Sequence, residues 1–168
     1  LHSPATAVTD FSAVGRALAD GVVTAAGRVL LSTTVTGVRR RAADVEVSTD
    51  AAPHVFDHLV VCAGLQADRL SRMADGGDGP RIVPFRGESL RVRAAKQELV
   101  RGMVYPVPDP RYPFLGVHFT RRVSGELEVG PNAVLALARE GYRRSEVSPA
   151  DLRGMATWPG FWRMAGKH

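Results

Sequence analysis

His118, Thr120 and Asn132 are the residues whose types and spacing carry chemistry. Pro113 to Ala136 contains an alternating run in which Phe114, Gly116, His118 and Thr120 share one strand face, with Leu115, Val117 and Phe119 on the other. One face is apolar, and the other carries an imidazole and a hydroxyl. Ser124-Gly125 signals a turn, Leu127-Glu128-Val129 can pair back, and Gly130-Pro131-Asn132 ends the ladder before a helical run expected from Val134. Such a hairpin brings His118, Thr120 and Asn132 together, with Gly116 and Gly130 admitting a ligand close to the backbone. The cluster could then read a small polar molecule by hydrogen bonds. On pattern alone, a hairpin with a satisfied or exposed imidazole is the alternative.

A second chemical corner lies upstream. His58 to Gly64 is an unbroken apolar run ending in Ala63-Gly64, as expected of a strand buried on both faces in a parallel sheet. Leu65 to Met73 then has helical spacing, with Asp68 near its start. Strand, small-residue turn and helix N-terminus make a corner that a cofactor phosphate or ribose can approach.

The elements that must position these groups follow in chain order. Asp10 is a candidate N-cap for a helix with Phe11, Val14, Leu18 and Val22 on one face and Gly27 as its stop. Strands are expected at Arg28 to Val38, Val45 to Ser48 and Val55-Phe56. Asp75 to Pro80 is a linker, dividing the chain into residues 1–80 and 81–168. Beyond it, short strands are expected at Ser89 to Val92 and Met103 to Val107. Ala133 to Tyr142 reads as a helix or an irregular excursion, and Ser148 caps a further helix starting at Pro149.

With 168 residues, 45% apolar and 23% charged, the chain has the composition of a globular protein. No apolar run approaches the length of a membrane helix. The single cysteine, Cys62, excludes an internal disulfide, and no Cys/His cluster has zinc spacing, so no metal is expected and a cytoplasmic location fits. The net charge of +5 invites a nucleic-acid reading, but nearly all of it is arginine and no aromatic residues interleave with Arg39-Arg40-Arg41 to stack bases. No nucleic-acid partner is expected. The absence of an initiator Met at position 1, and an end within a helical pattern, suggest a piece of a longer protein.

Taken together, D-x-L-V-V-C-A-G-L-x-A-D-R-L, I-V-P-F-R-G-E, Y-P-V-P-D-P-R-Y-P-F-L-G-V-H-F-T and V-G-P-N-A-V-L-A-L-A-R-E-G-Y resemble the L-2-hydroxyglutarate oxidase/dehydrogenase family of the FAD-dependent amino-acid oxidase superfamily. The likeness runs through essentially the whole chain. It implies an α/β (α+β) fold: the middle part of an FAD-binding three-layer domain before about Pro80, and an antiparallel substrate-binding sheet with flanking helices after it. The family's Gly-rich fingerprint is missing, since Gly-x-Gly-x-x-Gly occurs nowhere.

By the same resemblance, Val35, Ala63, Gly64 and Gly87 match positions that approach FAD. Val35 reads equally as a core strand residue. His118 becomes the candidate base that takes the hydroxyl proton of a dicarboxylate substrate, with Arg86, Thr120 and Asn132 orienting it and Tyr105 and Tyr112 as weaker candidates. Arg86 could hold a substrate carboxylate in a bidentate fork or serve as a structural salt-bridge partner. Electrons would pass to oxygen or a quinone, with peripheral contact to the inner membrane possible. Where the family usually has two aromatic residues after Arg-Gly-Glu, this chain has Ser89-Leu90, which could loosen the pocket. The competing readings are a non-catalytic anion-binding module, an inactive truncated copy, and a sister flavoenzyme acting on another small acid or amine.

Overall fold

A computed structural model describes residues 2–77, 79–111 and 116–167. The chain gathers into two compact units, each built from two stretches: Leu1–Val29 with Phe85–Val134, and Leu30–Pro84 with Leu135–His168. Helices and strands are mixed in the chain, and the strands of its two three-stranded sheets run antiparallel to their neighbours.

In the unit formed by Leu30–Pro84 and Leu135–His168, a three-stranded meander of Val35–Arg40, Val45–Thr49 and His54–Phe56 is followed by helix Ala67–Asp75. Its first strand begins later than the β-branched pattern suggests. Ser32 takes a left-handed φ of 51°, which breaks the extended run from Arg28, and the Thr34 N–H goes to Asp50 Oδ1 at 3.2 Å. Gly76 closes the helix at φ 68°, donating to Arg72 O, so the expected linker begins at a left-handed cap. Ser148 accepts from the Asp151 N–H and starts helix Pro149–Ala156, and a second helix, Pro159–Ala165, follows. Val47, Ala136 and Met155 are among the buried apolar residues of this unit.

The run His58 to Gly64 is not the buried parallel strand that its composition suggests. No described residue pairs with it, and Val60 is 83% exposed. Continuous hydrophobicity signals burial on two faces, but a strand also needs ladder partners to satisfy its amides, and the meander closes without recruiting this segment. The helix expected from Val134 is likewise replaced, by a two-residue strand, Val134–Leu135, and turns. The excursion is held by hydrogen bonds that a helix would break: Ala136 N–H to Pro84 O at 3.0 Å, and the Leu137 carbonyl accepting from Ser148 N–H at 2.9 Å.

In the unit formed by Leu1–Val29 and Phe85–Val134, Asp10 Oδ1 accepts from the N–H groups of Ser12 and Ala13 and caps helix Phe11–Thr24. Ala26, not Gly27, takes the left-handed position at φ 61°, and Gly27 donates to Val22 O. None of the helix residues is buried, so its apolar stripe is exposed.

The expected hairpin is present. His118–Arg121 pairs with Leu127–Gly130, and Leu90–Arg91 joins the outer edge of the second strand. Gly125 provides the turn at φ 87°, donating to Arg122 O at 2.9 Å. Leu127, 1% exposed, is its apolar anchor. The first strand starts at His118; Phe114 and Leu115, to which the alternation also extended, lie outside the described residues. The expected strand Met103 to Val107 is reduced to one bridge between Val104 and Phe119, because Pro106 has no N–H with which to extend a ladder.

Candidate functional site

The hairpin register sets His118 opposite Gly130 and Thr120 opposite Glu128. Both His118 and Thr120 are half-buried, and their i, i+2 spacing puts them on one sheet face. Tyr105 stacks on His118, with ring centroids 4.3 Å apart and an interplanar angle of 23°. His118 Nδ1 lies 2.9 Å from the carbonyl oxygen of Gly116. A carbonyl can only accept, so Nδ1 is the donor, and in the neutral imidazole Nε2 is then the nitrogen with the lone pair. The stacked Tyr105 ring and the Gly116 carbonyl thus fix both the plane and the tautomer of the imidazole.

Asn132 stands two residues beyond His118's cross-strand partner. Its Oδ1 accepts from Glu88 N–H at 2.9 Å, and its own N–H donates to Glu88 O at 3.1 Å, which fastens the end of the ladder to the Arg86-Gly87-Glu88 segment. With Oδ1 occupied, Nδ2 is the atom of this side chain left to donate. Arg86 donates through Nε and Nη2 to Glu88 Oε1, at 3.3 and 2.9 Å, and its side chain is 11% exposed. It is therefore engaged as a salt-bridge partner within its own segment. A substrate carboxylate would have to displace Glu88 or share the guanidinium.

The glycines expected to admit a ligand make room for the chain itself. A Cβ on Gly116 would stand 2.5 Å from Pro106 Cγ, one on Gly87 2.8 Å from Pro131 Cβ, and one on Gly130 2.8 Å from Ser89 Cα. Gly130 also has φ 143°. Tyr112 lies outside the described residues.

On the cofactor side, Val35 and Ala63 line one apolar cavity of about 200 Å³, together with Val38, Val47, Leu70 and the exposed run Leu59 to Cys62. Gly64 turns the chain at φ 49° with open space where a Cβ would lie. An apolar slot ending at an uncrowded left-handed glycine suits a flat ring and an adjoining sugar or phosphate. These residues fit part of a dinucleotide site and supply no pyrophosphate cradle. No cluster of three or more His, Cys, Asp or Glu among the described residues could hold a metal, and no helix among them is long and apolar enough to cross a membrane.

One charged centre has no counterpart in the expectations drawn from sequence. Arg139 donates to both carboxylate oxygens of Asp68 and to Leu65 O, while its backbone N–H donates to Asp151 Oδ2 at 3.0 Å. Asp68 also accepts from Ile82 N–H at 3.2 Å, and Asp151 pairs with Arg69. The Arg139 and Asp68 side chains are 9% and 4% exposed. Burial pushes the Asp68 carboxyl up, but hydrogen bonds from Arg139 and Ile82 and the charges of Arg139 and Arg72 outweigh it and lower the pKa to about 2. Asp151 is lowered too: burial opposes the shift, and the Arg139 N–H, Ser148 and Arg69 prevail. The sequence signals were faint. Asp68 and Arg72 are spaced i, i+4 on a helix, and Asp151 sits three residues after the Ser148 cap.

Compared with known proteins, residues 1–158 match the family model described as FAD dependent oxidoreductase. The whole chain aligns with L-2-hydroxyglutarate dehydrogenase of Indibacter alkaliphilus at 38% identity over 169 residues, covering 42% of that protein. The mitochondrial L-2-hydroxyglutarate dehydrogenases of Caenorhabditis elegans and Homo sapiens align over the whole chain at 39% and 37% identity, and it covers 40% and 39% of them. The chain thus spans about two fifths of the length of these relatives. Mitochondrial forms among them leave the cytoplasmic expectation, drawn from a single cysteine, without support.

Proposed function

This chain belongs to the FAD dependent oxidoreductase family, and from that premise we propose that it is part of an enzyme oxidising L-2-hydroxyglutarate to 2-oxoglutarate. The observation that carries the site assignment is the fixed imidazole: Nδ1 is tied to Gly116 O and the ring is stacked on Tyr105, so Nε2 is oriented as a proton acceptor. FAD, when bound, supplies the acceptor for the hydride of the substrate's secondary alcohol.

His118 Nε2 takes the hydroxyl proton. Thr120, on the same face, hydrogen-bonds the dicarboxylate, and Asn132 Nδ2 donates to a carboxylate oxygen. Arg86 contributes positive charge beside it while anchored on Glu88. Tyr105 holds the imidazole plane. Val35 and Ala63 would hold the flat apolar part of the cofactor, with Gly64 at its polar part; Gly87 is assigned to the cofactor by the resemblance of its segment alone. In this reading residues 1–80 are the middle portion of a three-layer flavin domain and residues 81–168 the substrate sheet. The electron acceptor is oxygen or a quinone. The exposed thiol of Cys62 suits a reducing compartment, cytoplasmic or peripheral to the inner membrane.

The test is anaerobic reduction in a polypeptide of the relatives' length that contains these residues. Purified and reconstituted with FAD, it should show a flavin absorbance band that L-2-hydroxyglutarate bleaches and glutarate, lacking the hydroxyl, does not. A polypeptide that takes up no FAD, or whose flavin stays oxidised with L-2-hydroxyglutarate, contradicts the proposal.

A further inference from the structure

A second cavity lies in the unit formed by Leu30–Pro84 and Leu135–His168, and none of the residues assigned above to cofactor or substrate lines it. It measures about 200 Å³, and its polar wall is made by Arg69, Arg72, Arg81 and Arg139 with Asp151. Met155 and Trp158 form its apolar side. Three of these arginines line the space while tied to neighbouring acceptors. Arg139 is locked on Asp68, Arg69 spans Gln66 and Asp151, and Arg81 Nη1 donates to the Gly154 carbonyl at 3.3 Å.

Arg72 differs. Its Nη2 reaches Asp68 Oδ2 at only 3.4 Å, and its Nη1 is buried with no hydrogen-bond partner among the described residues. The Arg72 side chain is 29% exposed, but a buried guanidinium N–H without an acceptor is costly, and the carboxylates nearest to it already serve other donors. Asp151, the acid on the wall, is already held by Arg69 and the Arg139 N–H, and Asp68 is held by Arg139 and Ile82. What would satisfy Arg72 Nη1 is therefore an acceptor from outside. At about 200 Å³ the cavity is smaller than the ~300–1,000 Å³ sites of drug-sized ligands, so the occupant is a small one.

We propose that this arginine-walled cavity binds a small oxyanion, a carboxylate or phosphate group, with Arg72 Nη1 as its first donor and Arg69, Arg81 and Arg139 supplying the field. Guanidinium forks suit both anions, and the surrounding burial strengthens each charge-assisted bond.

The chain reports on the site by itself, because Trp158 lines it and the sequence holds only 2 tryptophans. Tryptophan fluorescence of the full chain is titrated with inorganic phosphate and, separately, with glutarate, each against chloride at matched ionic strength. A saturable change with either anion supports the proposal, and the one that acts identifies the class; weaker binding at higher salt is expected. Arg72→Gln should weaken it about tenfold or more, the loss expected for a charged hydrogen bond. Ala150→Glu, which places a carboxylate on a residue of the cavity wall, should abolish it even if Arg72→Gln does not fold. Circular dichroism identifies the folded variants. No saturable response to either anion, or undiminished binding in folded Ala150→Glu, overturns the assignment.

Discussion

Replacing Arg139 with Met removes the charge that holds the buried centre together while keeping most of the side chain's length. In the native chain Asp68 has both carboxylate oxygens on Arg139, with side chains 4% and 9% exposed, so little water can substitute for the lost guanidinium. Removing one partner of such a pair strands the other charge, which typically costs about 3–5 kcal/mol. That is a large part of the roughly 5–15 kcal/mol available to a folded domain. With a urea dependence of about 2 kcal/mol per molar, the unfolding midpoint should fall by roughly 1.5–2.5 M. Asp68→Asn in the same background removes the stranded charge and should recover part of the loss, giving a coupling of about 1–3 kcal/mol in the double-mutant cycle. Urea unfolding of the four proteins, followed by circular dichroism, measures it. A midpoint shift below about 0.5 M, with the two substitutions additive, would refute the claim that this ion pair organises the unit.

Acid should act on the same centre. Asp68 and Asp151 are both lowered in the folded chain, so the stability they contribute is fully present above the unfolded carboxylate range near 4 and is lost as pH falls toward about 2. Asp68 alone accounts for roughly 2 kcal/mol, and the Asp68→Asn variant should therefore lose less stability than the native chain between about pH 5 and pH 2; parallel curves would contradict this. Ser148→Ala removes the cap of helix Pro149–Ala156 and should cost about 1 kcal/mol, a fall in Tm of roughly 2–4 °C by calorimetry. Gly130→Ala forces a Cβ onto a φ of 143° and against Ser89 Cα, and should cost roughly 1–3 kcal/mol in urea unfolding; a neutral effect would mean that the hairpin end tolerates displacement.

Local chemistry was legible in the sequence wherever a residue satisfies backbone groups close to it. Asp10 and Ser148 cap their helices as their types suggest, Gly76 and Gly125 take left-handed positions, and the hairpin pairs in a register that sets His118 opposite Gly130. Where the outcome depends on distant partners, pattern misled. His58 to Gly64 has the composition of a central strand, but composition cannot supply the neighbouring strands whose amides it would bond. Gly116 and Gly130 were expected to admit a ligand, and the space they leave is taken by Pro106 and Ser89. Arg86 and Arg139 look alike in sequence, yet one pairs two residues away with Glu88 and the other reaches Asp68, 71 residues back. Nothing local distinguishes a short-range salt bridge from a long-range one. The resemblance in the stretch around His118 identified the family, while the tautomer of the imidazole became visible only with the Gly116 carbonyl in place.

The role of His118 is tested most directly by the rate of anaerobic flavin reduction in the FAD-loaded polypeptide of the relatives' length, native against His118→Gln, with FAD occupancy matched by absorbance. Loss of an oriented proton acceptor should slow reduction by L-2-hydroxyglutarate about 100- to 10,000-fold while the flavin band remains. A His118→Gln protein whose flavin is reduced within about threefold of the native rate would contradict the assignment of Nε2 as the base.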